Sequence, residues 1–563
     1  MMKRTCFSGF LAALAVLPAA VGLPGCVGTG PMDPRVIARY QREMAARSPS
    51  RRTRDGQDLG LLRPAPQKGV KPLEVEEVKD ADGKVVKHII RLSLDQAVMR
   101  ALANNPQIQV VSFNPAISRQ EMTQAAADFD YIFFGAYSLD KTDERTNSIL
   151  LAGRTDTRRW QAGFRQKTVT GAEWAVAWNH TRSWNNAGFS VFATEYEPTI
   201  SFEITQPLLR EGWLDYNLSR LRIARLDHKS SLAAFRQSVE STITDVYLTY
   251  WRVAQARREV EIQEKLLEKT AETYHRVMER YKAGLDATKV QTKQAESAVA
   301  SRQAVLIRVR KDIHDTREAL GLLLDDPQIN VLGYYDIVPT TTMSDTPIHV
   351  DAADQLAAAL RNSPMLAQAR LAIQAAGIEV KVARNETLPK LDVKATTTLQ
   401  SLAARPHTAD RMLGSGDYAG YGIGLELEYP IGNRQRLAQL RLRRLQYRQV
   451  VASLQNTADQ IAAAIRQRVR EIHTSWEELQ LQRVAVAAAR VQLQALEDTE
   501  EIRGRLTPEF LELKLSAQES LADAERNELQ ALVDYNSAMV ELRRETGTVL
   551  DLPRVKISFS GRE

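Results

Sequence analysis

Cysteine is nearly missing from this chain of 563 residues: Cys6 and Cys26 are the two it has, so no disulfide framework can staple the fold. Aromatic residues are scarce at 6%, while Ala, Leu, Gln, Glu and Arg abound, a balance that leans toward helix. The net charge of +6 is small for the length and gives no electrostatic footprint for nucleic acid. Catalytic signatures are lacking as well. The eight histidines (His88, His180, His228, His275, His314, His349, His407 and His473) are scattered, with no HExxH and no metal-ligand spacing. There is no Walker loop, no GxSxG and no Cys–His arrangement. The expectation is a protein without catalytic residues, metal or cofactor, whose energy comes from partners. His228 reads as a packed polar residue on a helical seam.

The chain's conspicuous apolar run, "FSGFLAALAVLPAAVG", follows Lys3 and Arg4 and is short for a transmembrane helix. It leads into "LPGC", which resembles the bacterial lipobox and makes Cys26 the lipidation site after a signal peptide over 1–25. Val27 follows, rather than the aspartate that would suggest inner-membrane retention. Residues 26–70, rich in Pro, Gly, Ser and Arg with "RRTR" at Arg51–Arg54, read as a flexible tether. Residues 71–91 alternate around Asp82-Gly83, as a short β-hairpin does.

Most of the rest is written twice. "ALANNP" at Ala101 is echoed by "ALRNSP" at Ala359, "SFEITQPLLREG" by "GLELEYPIGNRQ", and "RYKAGLDATKV" by "IRGRLTPEFLEL". A unit of about 200 residues is too long and too few in copies for a solenoid, so this is a duplication. The expected organisation is a first repeat over 92–326, an equatorial linker over 327–348, a second repeat over 349–550 and a tail over 551–563.

Within each repeat a long helix dominates. Alternating steps of four and three from Leu214 give a seam through Phe235, Val239, Val246, Val253, Val260 and Val277 to Tyr281, and the pattern resumes from Leu285 to Leu320. That period of 3.5 belongs to left-handed coiled coils. About 67 residues at ~1.5 Å each make a rod on the order of 100 Å, suited to spanning a space. Gly284 can adopt the left-handed backbone that ends a helix, so "YKAGL" predicts a turn between antiparallel helices. Gly504 and Pro508 predict the same turn in the second repeat.

At the other end lie alternating strands. Ile200, Phe202 and Ile204 oppose Ser201, Glu203 and Thr205; Ile423, Leu425 and Leu427 oppose Gly424, Glu426 and Glu428. Apolar-out, polar-in alternation over about ten residues marks a transmembrane β-barrel, whose open edges lipid does not tolerate. Several copies are then required to close it. Trp160 to Trp184 adds an alternating pair that reads either as staves enlarging the barrel or as strands continuing above the membrane.

With "LSLDQAVMRALANNPQI", "TQPLLREG", "RYKAGLDATKVQTKQAE" and "EYPIGNRQRLAQLRL" in place, the chain resembles the TolC-like outer-membrane efflux family, its lipid-anchored members in particular. The resemblance covers about residues 92 to 548. It implies a mainly α fold with transmembrane β, a homotrimer pooling a 12-stranded barrel over a periplasmic coiled-coil tunnel. It further implies an outer-membrane exit duct of a tripartite efflux or type I secretion system. The partners it implies are a periplasmic adaptor, an inner-membrane transporter and outer-membrane lipid. Adaptor contacts carry over to Arg280, Tyr281, Gly284 and Leu285 on the first tip and Arg505, Leu506 and Thr507 on the second. The aperture carries over to Glu509 and Glu512, with Lys289 where relatives often have an acid, so a Lys289 salt bridge to either glutamate is a further expectation. Glu203, Glu426 and Glu428 are barrel-lumen candidates from their alternation. Two other readings share the long helices. A lipid-anchored coiled-coil spacer has no use for a charged lumen, and a periplasmic adaptor has one hairpin where two are read here.

Overall fold

The structure is a computed structural model that describes residues 74–79, 85–145, 151–188, 190–326, 329, 335–503 and 507–552. Every described residue falls in one compact unit within Gly60–Glu563. Cys26, the tether, Gly504, Arg505 and Leu506 lie outside the described residues.

The first repeat opens with α1 (Leu94–Asn104) and α2 (Pro106–Ala126). A capping box between Ser93 and Gln96 starts α1. Asn105 then ends it and caps α2, whose first residue is Pro106, so the repeated "NNP" is a helix-to-helix joint. "NSP" does the same between α6 (Ala352–Asn362) and α7 (Pro364–Glu386) in the second repeat. Four strands follow α2: β3 (Ile132–Asp143), β4 (Arg154–Lys167), β5 (Glu173–Asn185) and β6 (Thr194–Pro207). Two follow α7: β8 (Lys390–Gln400) and β9 (Ala419–Glu428), joined across helix α8 (Pro406–Ser415).

These six form one antiparallel sheet in the order β3-β4-β5-β6-β8-β9. The twelve-stranded barrel implied by the resemblance would need four strands per chain from a trimer, and this chain brings six. The added pair is the Trp160–Trp184 segment, which becomes β4 and β5 in the interior of the sheet.

Each repeat continues into a long helical hairpin. A single turn, α3 (Trp213–Asn217), precedes α4 (Ser219–Lys282, 64 residues), so the seam written from Leu214 starts in a separate element. Helix α4 turns into α5 (Lys289–Leu324), and α9 (Arg434–Arg503, 70 residues) precedes α10 (Pro508–Thr546). At ~1.5 Å per residue the two longest helices reach about 95 and 105 Å. The seam is buried along its middle, where Phe235, Val239, Val246, Val253 and Val277 are all 3% exposed or less, while Val260 is half-buried and the ends at Leu214, Tyr281 and Leu285 are exposed. Helix α4 packs against α5 on one side and against α10 and α7 on others, while α9 packs against α10 and α7.

An equatorial core lies partway along the long helices, around the middle of α4 and the end of α5. Strands β1 (Glu74–Lys79) and β2 (Val85–Leu92) pair antiparallel, the expected turn at Asp82-Gly83 lying outside the described residues, and β2 also pairs in parallel with β7 (Tyr335–Pro339) from the inter-repeat segment. Ile90, Leu92, Val98, Ile243, Val246, Tyr250, Leu320 and Ile337 pack together there. Tyr250 donates from its hydroxyl to the Leu92 carbonyl at 2.9 Å and accepts from the Thr341 amide at 3.0 Å, so its buried polar tip is satisfied.

Candidate functional site

Residues opposed across neighbouring strands share a face, so the register divides the sheet cleanly. One row runs Phe133, Phe164, Val176, Phe202, Thr397, Tyr421, and the next toward the helices includes Trp174, Ile204, Ala395 and Ile423. This face carries Tyr421 at 90% exposure and Ile423 at 81%, and ring pairs such as Phe133–Phe164 at 5.2 Å and Tyr137–Trp160 at 5.4 Å. Ile132, Arg165, Ala175, Glu203, Thr396 and Gly422 form one row on the opposite face, which also carries Arg159, Lys394, Glu426 and Glu428. Toward the loops this face turns polar, with Lys141, Asp156, Arg158 and Arg182, but the exposed large apolar side chains of the band nearer the helices call for an apolar solvent. A membrane on one side and water on the other satisfies both faces.

All three lumen candidates therefore share the charged face. Glu426 accepts from Lys394 Nζ at 2.5 Å, with Lys390 Nζ 4.0 Å away, and Glu428 lies 3.7 Å from Arg210. The weak alternation of "YIFFGAYSL" has a local cause. Phe134 points to the charged face above Gly163, where a Cβ would meet its ring at 2.6 Å, and the Arg165 guanidinium lies over that ring, 5.9 Å from its centre. Glycine opposite makes room for an aromatic on the polar side.

The first hairpin tip is built from its backbone outward. Gly284 has φ +67°; its amide donates to the Tyr281 carbonyl at 3.1 Å and the Leu285 amide to the Arg280 carbonyl at 3.0 Å. This pairing is the Schellman motif, which satisfies the last carbonyls of α4. Thr288 restarts the chain as the cap of α5 in a capping box with Gln291. Arg280 and Asp286 close the turn as a bidentate pair, with Nε and Nη2 each 3.0 Å from a carboxylate oxygen. Tyr281 and Leu285 project at 42% and 62% exposure, joined by Val290. Asp286 and Val290 escaped the sequence reading; an Arg and an Asp bracketing a helix-ending glycine were the signal for the first.

On the second tip Thr507 caps α10, accepting from the Phe510 amide at 3.2 Å. Glu509, Glu512 and Lys289 are exposed. Among the described residues no ion pair joins Lys289 to either glutamate within one chain. The charges that do tie the hairpins together lie deeper. Lys514 on α10, fully buried, pairs with Glu500 on α9, and Arg276 on α4 lies 3.6 Å from the same carboxylate. Lys269 and Glu497 add a contact at 3.5 Å. Lys514 stands among charges on an exposed-looking helix, so its burial was not legible locally.

Among the described residues no His/Cys/Asp/Glu cluster has metal-binding geometry, and no helix is long and apolar enough to cross a membrane. His228 is half-buried and hydrogen-bonded at 3.0 Å to Ser118 on α2; burial pulls its pKa below the ordinary histidine value.

A two-faced sheet mounted on paired helical rods is the architecture of an outer-membrane channel. The chain belongs to the outer membrane efflux protein family, whose profile matches residues 175–325 and 356–548. It is 23% identical over 370 residues to the outer membrane efflux protein BepC of Brucella suis biovar 1 (strain 1330), covering 65% of this chain and 76% of that protein. Its fold matches the outer-membrane channel OprN with a TM-score of 0.61 at 16% identity, over 81% of this chain and 90% of that one. It matches the CmeC outer membrane channel of Campylobacter jejuni at 0.59 and 15%, over 81% and 86%. The protein is an outer-membrane efflux duct, and its family and structural neighbours are channels.

Proposed function

We propose that three copies of this chain form a passive exit duct that joins a periplasmic adaptor and an inner-membrane pump, in a tripartite efflux or type I secretion system. One observation carries the reading: an antiparallel sheet, with an apolar band on one face and charges on the other, stands at one end of two helical hairpins whose longer arms reach about 100 Å. A spacer of the envelope has no need of the charged face. Two features support self-association. Among the described residues the edges β3 and β9 have no strand partner, and lipid does not tolerate bare edges. The outer helices also expose apolar side chains, Leu481, Val484 and Val491 on α9 and Ile307 and Leu322 on α5, as seams awaiting a neighbour do.

In this reading the tips, with Arg280, Tyr281, Gly284, Leu285, Arg505, Leu506 and Thr507, meet the adaptor. Glu509 and Glu512 ring the aperture with Lys289 beside them, and Glu203, Glu426 and Glu428 line the lumen. Cys26 carries the lipid anchor. Purified protein in planar bilayers tests the duct: discrete single-channel steps are expected, and their absence favours the poreless spacer. For the anchor, Cys26→Ser should abolish labelling by an alkyne palmitate; retained labelling on that variant removes Cys26 from the role.

A further inference from the structure

The six strands have a consequence beyond the count. We infer that, resting on the trimeric duct above, the barrel closes with eighteen strands, β9 of each copy pairing with β3 of the next, and that β4 and β5 are a removable pair of staves that widens the pore. Three observations lead there.

The first is the face pattern of the added pair. Trp160, Phe164, Trp174, Val176 and Trp178 lie on the apolar face in register with Phe133 and Phe202, and Arg159, Arg165, Ala175 and Ala177 lie on the polar one. Strands lying wholly above the membrane would have no use for this apolar band, which gives way to Asp156, Arg158, His180 and Arg182 on the same side only toward the far ends of the pair. Both strands also pair with their neighbours along nearly their whole length, from Asp143↔Arg154 to Ile132↔Arg165 and from Trp184↔Thr194 to Glu173↔Thr205. They are wall.

The second is direction. Strand β3 follows α2 and runs away from the helices, and β9 returns toward them into α9. Six is even, so β9 of one copy meets β3 of the next antiparallel, and every copy can join the same way. Antiparallel closure with an even strand number is the rule for barrels of this membrane.

The third is girth. Strands ~4.8 Å apart and tilted by about 40° each take about 6.3 Å of circumference, so six cover about 38 Å. The four long helices of one chain, packed about 9.5 Å apart side by side, cover about 38 Å of a tunnel wall. Sheet and stalk of one protomer thus span the same arc at an ordinary tilt. Four strands at that tilt would cover only about 25 Å and would need a tilt near 60° to match the same helices. Three copies close a barrel of about 36 Å between backbones, in the strand range where porins hold an aqueous channel. Narrowing is then left to the helical tips and to the loops at the far mouth.

Cysteine pairs on the charged face test this in outer membranes, with copper phenanthroline as oxidant and single-cysteine controls to account for Cys6 and Cys26. Ala136→Cys with Gln161→Cys and Ala177→Cys with Ser201→Cys report that β4 and β5 are in the wall; both pairs should lose their thiols to labelling. Ala136→Cys combined with Gly420→Cys, Gly422→Cys or Gly424→Cys samples the joint between copies, and at least one should give a covalent ladder ending at the trimer mass. Efficient linkage of Ala136→Cys to Ser201→Cys would place β3 against β6 and exclude the added staves. A ladder ending at the dimer would make twelve strands from two copies, overturning the inference. Cryo-electron microscopy of the full chain in lipid nanodiscs counts the strands whether or not any pair cross-links: eighteen supports the inference and any other number ends it. A conducting trimer with twelve strands sinks this inference alone, whereas a poreless particle sinks the duct itself. Excising residues 154–185 should leave trimers that still insert and conduct, with twelve strands by cryo-electron microscopy; loss of membrane insertion would show that β4 and β5 are not a removable pair.

Discussion

A single backbone angle decides where the first rod ends. Gly284 sits at φ +67° with open space where a Cβ would be, so the obstacle to substitution is conformational. A β-branched residue in the left-handed region costs on the order of 1–3 kcal/mol. The buried seam begins only at Val277 and continues away from the tip, so Gly284→Val should leave trimers intact by size-exclusion chromatography. It should weaken capture of the adaptor about tenfold by displacing Tyr281 and Leu285; unchanged capture would remove the tip from docking. His228 makes a second residue-scale case. Its folded pKa is lowered, chiefly by burial, so on acidification the unfolded chain takes up a proton that the folded chain refuses. The stability is present above about pH 6.5 and is lost as pH falls below it. Melting temperature should therefore drop between pH 7.5 and 5.5, by less in His228→Asn; identical profiles would show that His228 does not contribute.

Among the elements, the coiled coils are not uniformly apolar. Arg302 on α5 is 7% exposed. It donates to Thr270 on α4, to Gln518 Oε1 at 3.1 Å and to the Leu515 carbonyl at 2.8 Å on α10. Gln518 in turn donates to Thr273 at 3.2 Å. One guanidinium thus holds three helices from both hairpins at a fixed axial offset, much as a buried polar residue sets coiled-coil register. Arg302→Ala would strand these acceptors in a dry seam, at a cost of about 2–3 kcal/mol. Denaturant melts of the purified protein should show that loss; a variant as stable as the parent would mean that water replaces the guanidinium. The same seam shows why the heptad count succeeded: steps of four and three describe which residues face inward, and Arg302 stood on that seam although its partners could not be named.

For the whole molecule, the charges exposed near the second tip matter only once copies are arranged around an axis. Glu509 and Glu512 have no ion-pair partner among the described residues of their own chain and stand three apart on one face of α10. A ring of such carboxylates at a constriction sets up a cation-favouring field. Reversing both to lysine should shift the reversal potential in a salt gradient toward anions, by about threefold or more in permeability ratio. An unchanged reversal potential would place the aperture elsewhere. Lys289 on the first tip would moderate that field, and no contact within one chain neutralises it.

How much of this could be read in advance differs by scale for a physical reason. Helix seams, helix-ending glycines, proline starts and alternating strands are local: each follows from the periods of 3.6 and 2 or from one residue's allowed angles. Those were legible, and with them the duplication, the two hairpins and the two-faced sheet. Contacts between distant segments were not. The pairing of β2 with β7, the burial of Lys514 against Glu500 and the bidentate closure by Asp286 depend on which surfaces meet, which no short window encodes. Strand count shows the boundary best. The sequence alone determined that Trp160–Trp184 alternates as membrane strands do, but a strand's own residues do not say which edge it joins. Only the tertiary structure, through hydrogen-bond register with β3 and β6, decided that the pair lies inside the sheet.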